Sequence, residues 1–182
     1  MATDSPQLKK IILLTADEQE FELEEAVAME FGIVKTFFED NLDTCDEPMP
    51  LPNVESKYLS KIIEYSKWHL VRKAQKPRKP RKTINLGSED EEDEEAKAFD
   101  QEFFNTLDNE GVWQMMLAAN YLDAKELLEM LTQAVADKIQ NKSVEYVRRF
   151  FGVENDYTPE EEAELRKKYE WAFEDVDPDD DI

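Results

Sequence analysis

The sequence predicts an α+β fold, with a small sheet near its start and helices carrying most of its apolar residues. Three observations predict it. Residues 9–15 and 20–23 read as a strand hairpin. Leu59, Ile62, Ile63, Ser66 and Leu70 fall at i, i+3, i+4, i+7 and i+11, one continuous stripe of a long helix. From residue 99 onward the apolar spacing is helical and is punctuated by capping residues rather than strand signals.

Residues 9–15, KKIILLT, are apolar and β-branched, and residues 20–23, EFEL, alternate with Phe21 and Leu23 on one face. The polar residues 16–19 join them as a turn. Residues 24–31 have helical composition, and Gly32 is expected to be the C-cap of that helix. Residues 33–40 form a short helix with Val34, Phe37 and Phe38 apolar. Pro48, Pro50 and Pro52 exclude a helix in EPMPLPNV, which reads as an edge strand or extended segment entering the long helix at Asn53. After Val71 the composition changes. RKAQKPRKPRK is basic and proline-broken, and residues 88–95, SEDEEDEE, are an acidic block. Neither can bury apolar surface, so residues 72–98 are expected to be a disordered insertion.

Order is expected to resume at Phe99. Asp108 or Asn109 caps a helix carrying Val112, Met115, Met116 and Ala119, and a second helix after Asp123 carries Leu127, Leu128, Leu131, Val135 and Ile139. A third, short helix has Val144, Val147, Phe150 and Phe151. The last begins at TPEE, with Thr158 as N-cap, Pro159 at the first helical position and Glu161 completing a capping box. Glu162–Arg166 and Glu164–Lys168 support it at i, i+4. This helix is nearly all charged, and its apolar residues Leu165, Tyr169, Trp171 and Phe173 have little to cover them. Spacing alone divides evenly between Trp171 folding back on the domain and Trp171 docking on a partner.

The chain has 182 residues, enough for one domain with an appendage, and 44 acidic against 22 basic residues, a net charge of −22. Such a surface repels nucleic acid and anionic membranes, so neither is expected as a direct partner. Cys45 is the sole cysteine, which excludes an intramolecular disulfide and makes a reducing compartment the default. Its acidic neighbours in DTCDE disfavour the thiolate. The apolar run at residues 11–14 is too short for a signal peptide core or a membrane span, so cytoplasm and nucleus are expected. The one histidine, His69, is expected to be a surface or boundary residue. CxxC, HExxH, GxSxG and glycine-rich phosphate loops are all missing from the sequence, and the acidic run lacks the alternation and turn glycine of a calcium loop. The sequence therefore predicts no catalytic residue, no metal and no cofactor, and a binding module rather than an enzyme.

One helical stretch raises a question of its own. LAANYLD, residues 117–123, interrupts an apolar helix with Asn120 and Tyr121, although Asn is a poor helix-interior residue. Read locally, Asn120 turns the chain and Tyr121 packs in the core. The same stretch extends to LAANYLDAKELL, and PLPNV (50–54), NDYTPEEEAELRK (155–167) and EWAFED (170–175) occur with it in a fixed order. Together these motifs resemble the Skp family, the adaptor subunits of SCF (Skp–cullin–F-box) ubiquitin ligases, over residues 8 to about 175. The resemblance implies a BTB/POZ fold, a small sheet flanked by helices, with a C-terminal helical F-box-binding extension. Its halves would be residues 8–71 and 99–140, the extension 141–175 and an acidic tail 176–182. It implies that Asn120 and Tyr121 meet a cullin. It implies an F-box groove of Phe150, Phe151, Val153, Tyr157 and Trp171, with Leu127, Leu128 and Leu131 on the preceding helices. The partners would be F-box proteins and a cullin in a heteromeric complex, and the tail beyond Thr158 would order on binding.

The chain departs from the family pattern in several places, and among them Trp113, Met115 and Met116 replace smaller or more aliphatic residues. NKSVEYV (141–147) replaces a glycine-lysine-threonine-proline-glutamate run, and Val144 excludes the proline modification of some protist relatives. Asp108-Asn109-Glu110-Gly111 replaces aspartate-glutamine-glycine-threonine, and Gly152 replaces asparagine. These departures imply a divergent member. An elongin-type adaptor would lack residues 155–171, whereas a Skp-like subunit of a cullin-free assembly, such as a kinetochore complex, remains open. The basic residues 72–82 would serve as a nuclear import signal or a solvated linker.

Overall fold

The computed structural model describes residues 10–40, 48–75, 93–174 and 176–178. The hairpin is present: β1 (Lys10–Thr15) pairs antiparallel with β2 (Glu20–Glu24), Leu13 opposite Phe21. Thr15 closes the turn, its N–H donating to the Gln19 carbonyl at 3.0 Å and its hydroxyl to the same oxygen at 3.1 Å. β3 (Met49–Leu51) lies parallel to β1 on the other side, so the three-stranded order is β2-β1-β3. Pro50 lacks an N–H to donate, which an edge strand tolerates. Ile11, Leu13, Leu23, Met49 and Leu51 point into the core.

The helix expected over residues 24–31 is one turn, α1 (Glu25–Ala28), and Gly32 does not cap it but opens α2 (Gly32–Asp40). The reason is tertiary. A Cβ at position 32 would press into the Asp123 side chain, 2.7 Å from its Cγ, and the Gly32 N–H points to the Asp123 carbonyl at 3.4 Å. The glycine permits a close approach of two distant segments.

The long helix, α3 (Ser56–Gln75), starts at Ser56 rather than Asn53. Its first turn is capped from the hairpin: the Ser56 N–H donates to Asp17 Oδ1 at 2.8 Å, and the Ser56 hydroxyl donates to the other carboxylate oxygen. The Ser56 hydroxyl first, and the Thr15 hydroxyl second, hold the Asp17 carboxyl down from 3.8 to about 2. A carboxyl depressed in the folded chain stabilises above its unfolded pKa, and that stabilisation is lost as pH falls through the folded value. Asp17→Asn should therefore lower the melting temperature at neutral pH. Its gap from the parent chain should close between pH about 4 and about 2. A gap independent of pH in thermal melts would show that the carboxylate charge is not what caps α3.

The helices reach further into the charged insertion than expected. α3 continues to Gln75, and α4 (Glu94–Asn105) starts inside the acidic block, so residues 72–75 and 93–98 are structured, while residues 76–92 and Cys45 lie outside the described residues. Arg72 is the cause. Its guanidinium forks onto Asp93 at 3.1 and 3.0 Å and reaches Glu95 at 2.7 Å. Asp93 also caps α4, accepting the Ala96 N–H at 3.3 Å, where acidic residues suit the helix N-terminus. His69 is correspondingly not a surface residue. It is buried between α3 and α4, its Nε2 2.8 Å from Asp100 Oδ1, beside Trp68 stacked on Phe99 at 4.1 Å.

α5 (Asn109–Leu122), α6 (Lys125–Ile139), α7 (Val144–Phe151) and α8 (Pro159–Lys168) follow, then a single 3-10 turn, Glu170–Ala172. Asp108 caps α5, accepting the Gly111 N–H at 2.7 Å. The main core joins the sheet to α1 through α6. A smaller cluster of Val112, Val135, Tyr146 and Phe150 fixes α7 to α5 and α6. Here the expected apolar stripe of α7 is corrected. Tyr146 and Phe150, one helical turn apart, face inward, whereas Val144 and Val147 are half-buried and Phe151 is exposed. The architecture is α+β, and no helix among the described residues is long and apolar enough to cross a membrane.

Candidate partner-binding surfaces

The first surface is the end of α5. The chain turns there at Asp123, whose left-handed backbone (φ 52°) closes the helix and whose N–H donates to the Asn120 carbonyl at 3.1 Å. The turning role thus belongs to Asp123, and Asn120 presents an exposed side chain from the last turn of α5. Tyr121 is half-buried, its ring resting on the main core. Leu117 and Trp113, 47% and 49% exposed, sit one and two turns back on the same helical face, a feature the sequence reading missed. The signal was available: both are apolar residues that fall outside the stripe of Val112, Met115, Met116 and Ala119.

The second surface is built by α7, α8 and the 3-10 turn. Gly152 ends α7 in the left-handed region (φ 63°), and the next residue, Val153, donates its N–H back to the Arg148 carbonyl at 2.8 Å. That reversal leaves Phe151 and Val153 pointing outward. α8 then begins with the expected capping box: Thr158 Oγ1 accepts the Glu161 N–H at 3.3 Å, and Glu161 accepts the Thr158 N–H at 2.9 Å. No residue of α8 is buried. Charge holds it to α7 instead. Arg166 pairs with Glu145, and Glu162 lies 3.8 Å from Arg148 and accepts a hydrogen bond from Asn155 at 3.1 Å. Beyond Thr158 the chain is helical over Pro159–Lys168 and makes one further 3-10 turn at Glu170–Ala172.

Among the residues expected to form the F-box groove, Phe151, Val153, Tyr157 and Trp171 are exposed, Trp171 most of all at 76%. Leu128 is half-buried. Leu127, Leu131 and Phe150 are core residues, the first two in the main core and Phe150 in the smaller cluster that holds α7, so they do not line the surface. Val144, Tyr157, Leu165, Tyr169, Trp171 and Phe173 enclose a groove of about 290 Å³, flanked by Arg148 and Arg166. An apolar groove with an uncovered indole at its lip is suited to receive apolar side chains of a partner helix.

A larger cleft of about 1070 Å³ lies between α3, α4 and α6. Within it His69 Nε2 lies 2.8 Å from Asp100 Oδ1, and Lys73 pairs with Glu126 at 2.7 Å. Burial first, and the Asp100 carboxylate second, push the Tyr65 hydroxyl well above the usual phenol range. The phenol therefore stays protonated and is not a phenolate nucleophile near neutral pH. Among the described residues no group of three or more His, Cys, Asp or Glu is placed to hold a metal ion.

Residues 9–71 match a family model described as the tetramerisation domain of the Skp1 family, and residues 125–172 match its dimerisation domain. SKP1-like protein 14 of Arabidopsis thaliana is 44% identical over 165 residues, covering 91% of this chain and 97% of that protein. SKP1-like protein 1A of the same plant is 42% identical over 166 residues, 91% and 98% of the two chains. SKP1-like protein 20 of Oryza sativa subsp. japonica is 39% identical over 182 residues, 96% and 100% of the two chains.

Proposed function

The chain belongs to the Skp1 family of adaptors, and from that premise we propose that it links a cullin scaffold to F-box substrate receptors in an SCF-type ubiquitin ligase. The observation that carries this reading is the uncovered indole of Trp171, 76% exposed beside an apolar groove at the end of a charged helix. An adaptor that left such a ring in water without a partner would gain nothing from it, since burying a large aromatic is worth roughly 1.5–3 kcal/mol. The cullin would meet Asn120 and Tyr121 at the end of α5, and the F-box would meet Phe151, Val153, Tyr157 and Trp171. With both engaged, substrate and ubiquitin-loaded enzyme share one assembly, and the gain is effective concentration rather than chemistry on this chain. The complex would act in cytoplasm and nucleus.

Affinity capture of the tagged chain followed by mass spectrometry tests the proposal. A cullin recovered together with several F-box proteins is the expected result. F-box proteins without a cullin would move the chain to a cullin-free assembly, and recovery of neither would overturn the adaptor reading.

A further inference from the structure

We propose that Arg166 is the positioning residue of the F-box groove: it ties α7, α8 and the segment after the 3-10 turn into one body and so holds Trp171 in place before a partner arrives. The inference rests on the F-box reading above. It starts from what α8 lacks. No residue of that helix is buried, so apolar packing does not fix its angle to α7. The polar contacts between the two helices centre on two neighbouring side chains of α8, Arg166 and Glu162. From α8, Arg166 pairs with Glu145 on α7 and with Glu162 one turn back at 3.1 Å, and its guanidinium lies over the Phe173 ring, 4.7 Å from the centroid. Hydrogen bonding to Glu162 first raises the arginine's pKa further, so it is charged at every working pH.

The network continues through Glu162. That carboxylate faces Arg148 at 3.8 Å, and Arg148 in turn lies 5.9 Å from the centroid of Tyr157. Two rings of the groove, Phe173 and Tyr157, therefore each have a guanidinium beside them, and both guanidiniums share Glu162. Phe173 follows the 3-10 turn that carries Trp171, and its N–H closes that turn on the Glu170 carbonyl at 3.0 Å. Downstream the chain is fastened again: the Asp177 N–H donates to the Asn141 carbonyl at 2.9 Å and Lys142 Nζ to the Pro178 carbonyl at 2.8 Å. Trp171 lies between these two attachments.

Arginine suits the task for geometric reasons. Its planar fork serves two carboxylates while its flat face meets a ring, which a lysine ammonium cannot do at once. An isolated exposed ion pair adds little to stability. The effect on binding is larger, because each long side chain or loop ordered in advance is one less to order on association. Arg166 would thus change affinity while hardly moving global stability.

The experiment measures the indole ¹⁵N–{¹H} NOE of Trp171 in the full chain without partner, and the Kd for a purified F-box peptide by titration. Trp68 and Trp113 serve as internal references. In Arg166→Ala the Trp171 NOE is expected to fall while those of Trp68 and Trp113 hold, and Kd to rise roughly tenfold with little change in melting temperature. Arg166→Lys is expected to fall between parent and alanine. Should Arg166→Ala unravel α8, Phe173→Leu removes the ring from beneath the guanidinium without touching the helix, and the same fall in the Trp171 NOE is expected. An unchanged NOE in both variants, or a parent-like Kd in Arg166→Ala, would overturn the inference. A parent chain that fails to bind the peptide would overturn the F-box reading instead, with the NOE series still deciding what Arg166 does.

Discussion

Asn120→Lys combined with Tyr121→Lys should abolish capture of a cullin N-terminal domain and leave F-box binding unchanged. The two surfaces use different elements: the end of α5 for one, and α7, α8 and the 3-10 turn for the other. Tyrosine is a typical interface anchor, and losing one costs about 2 kcal/mol or more, roughly thirtyfold in affinity. Two ammonium groups that would have to be desolvated in the same contact add to that loss. The stability cost is asymmetric and gives an internal control. Asn120 is exposed, so Asn120→Lys alone should leave the melting temperature in place. Tyr121 rests half-buried on the main core, so its replacement should lower the melting temperature by a few degrees. Titration of both partners against the single and double variants reads the result. Cullin binding that survives the double substitution would remove this end of α5 from the interface. Loss of both partners together with a large drop in melting temperature would make the pair part of the core.

What was legible in the sequence divides along physical lines. Features set by neighbours in the chain were readable: the 16–19 turn, the Ile62–Ile63 stripe, a cap at Asp108 or Asn109 and the Thr158–Glu161 box all depend on residues a few positions apart. Features set by distant contacts were not. Gly32 looks like a helix terminator until Asp123 is seen beside it, and α4 hides in an acidic run because Arg72, on another helix, neutralises Asp93 and Glu95. His69 was misplaced for the same reason, since its partner Asp100 lies on the helix that composition assigned in part to a linker. Of the residues assigned to the groove, Phe151, Val153, Tyr157 and Trp171 are exposed, whereas Leu127, Leu131 and Phe150 are buried. A helical stripe identifies which residues are apolar together; only the packing of α6 and α7 decides which of them remain outside.

Trp171→Ala should weaken binding to a purified F-box peptide by roughly thirtyfold, the equivalent of about 2 kcal/mol for truncating a central aromatic anchor. The argument rests on where the ring stands before binding. At 76% exposure the indole contributes little to the folded chain, so its removal should scarcely move the melting temperature, and a change in Kd can be assigned to the complex. Its neighbours reinforce this. α8 is charged along its length and buries nothing, while Leu165, Tyr169 and Phe173 line the groove beside the indole. A partner helix that covers Trp171 therefore covers a continuous apolar strip together with it. Tyr157→Ala, 48% exposed in the same groove, should give a smaller loss, since its ring lies beside Arg148 and leaves less apolar surface to bury. Isothermal titration of the two variants and the parent against one F-box peptide ranks them. An affinity for Trp171→Ala equal to that of the parent would remove the indole from the interface and leave the groove without its anchor.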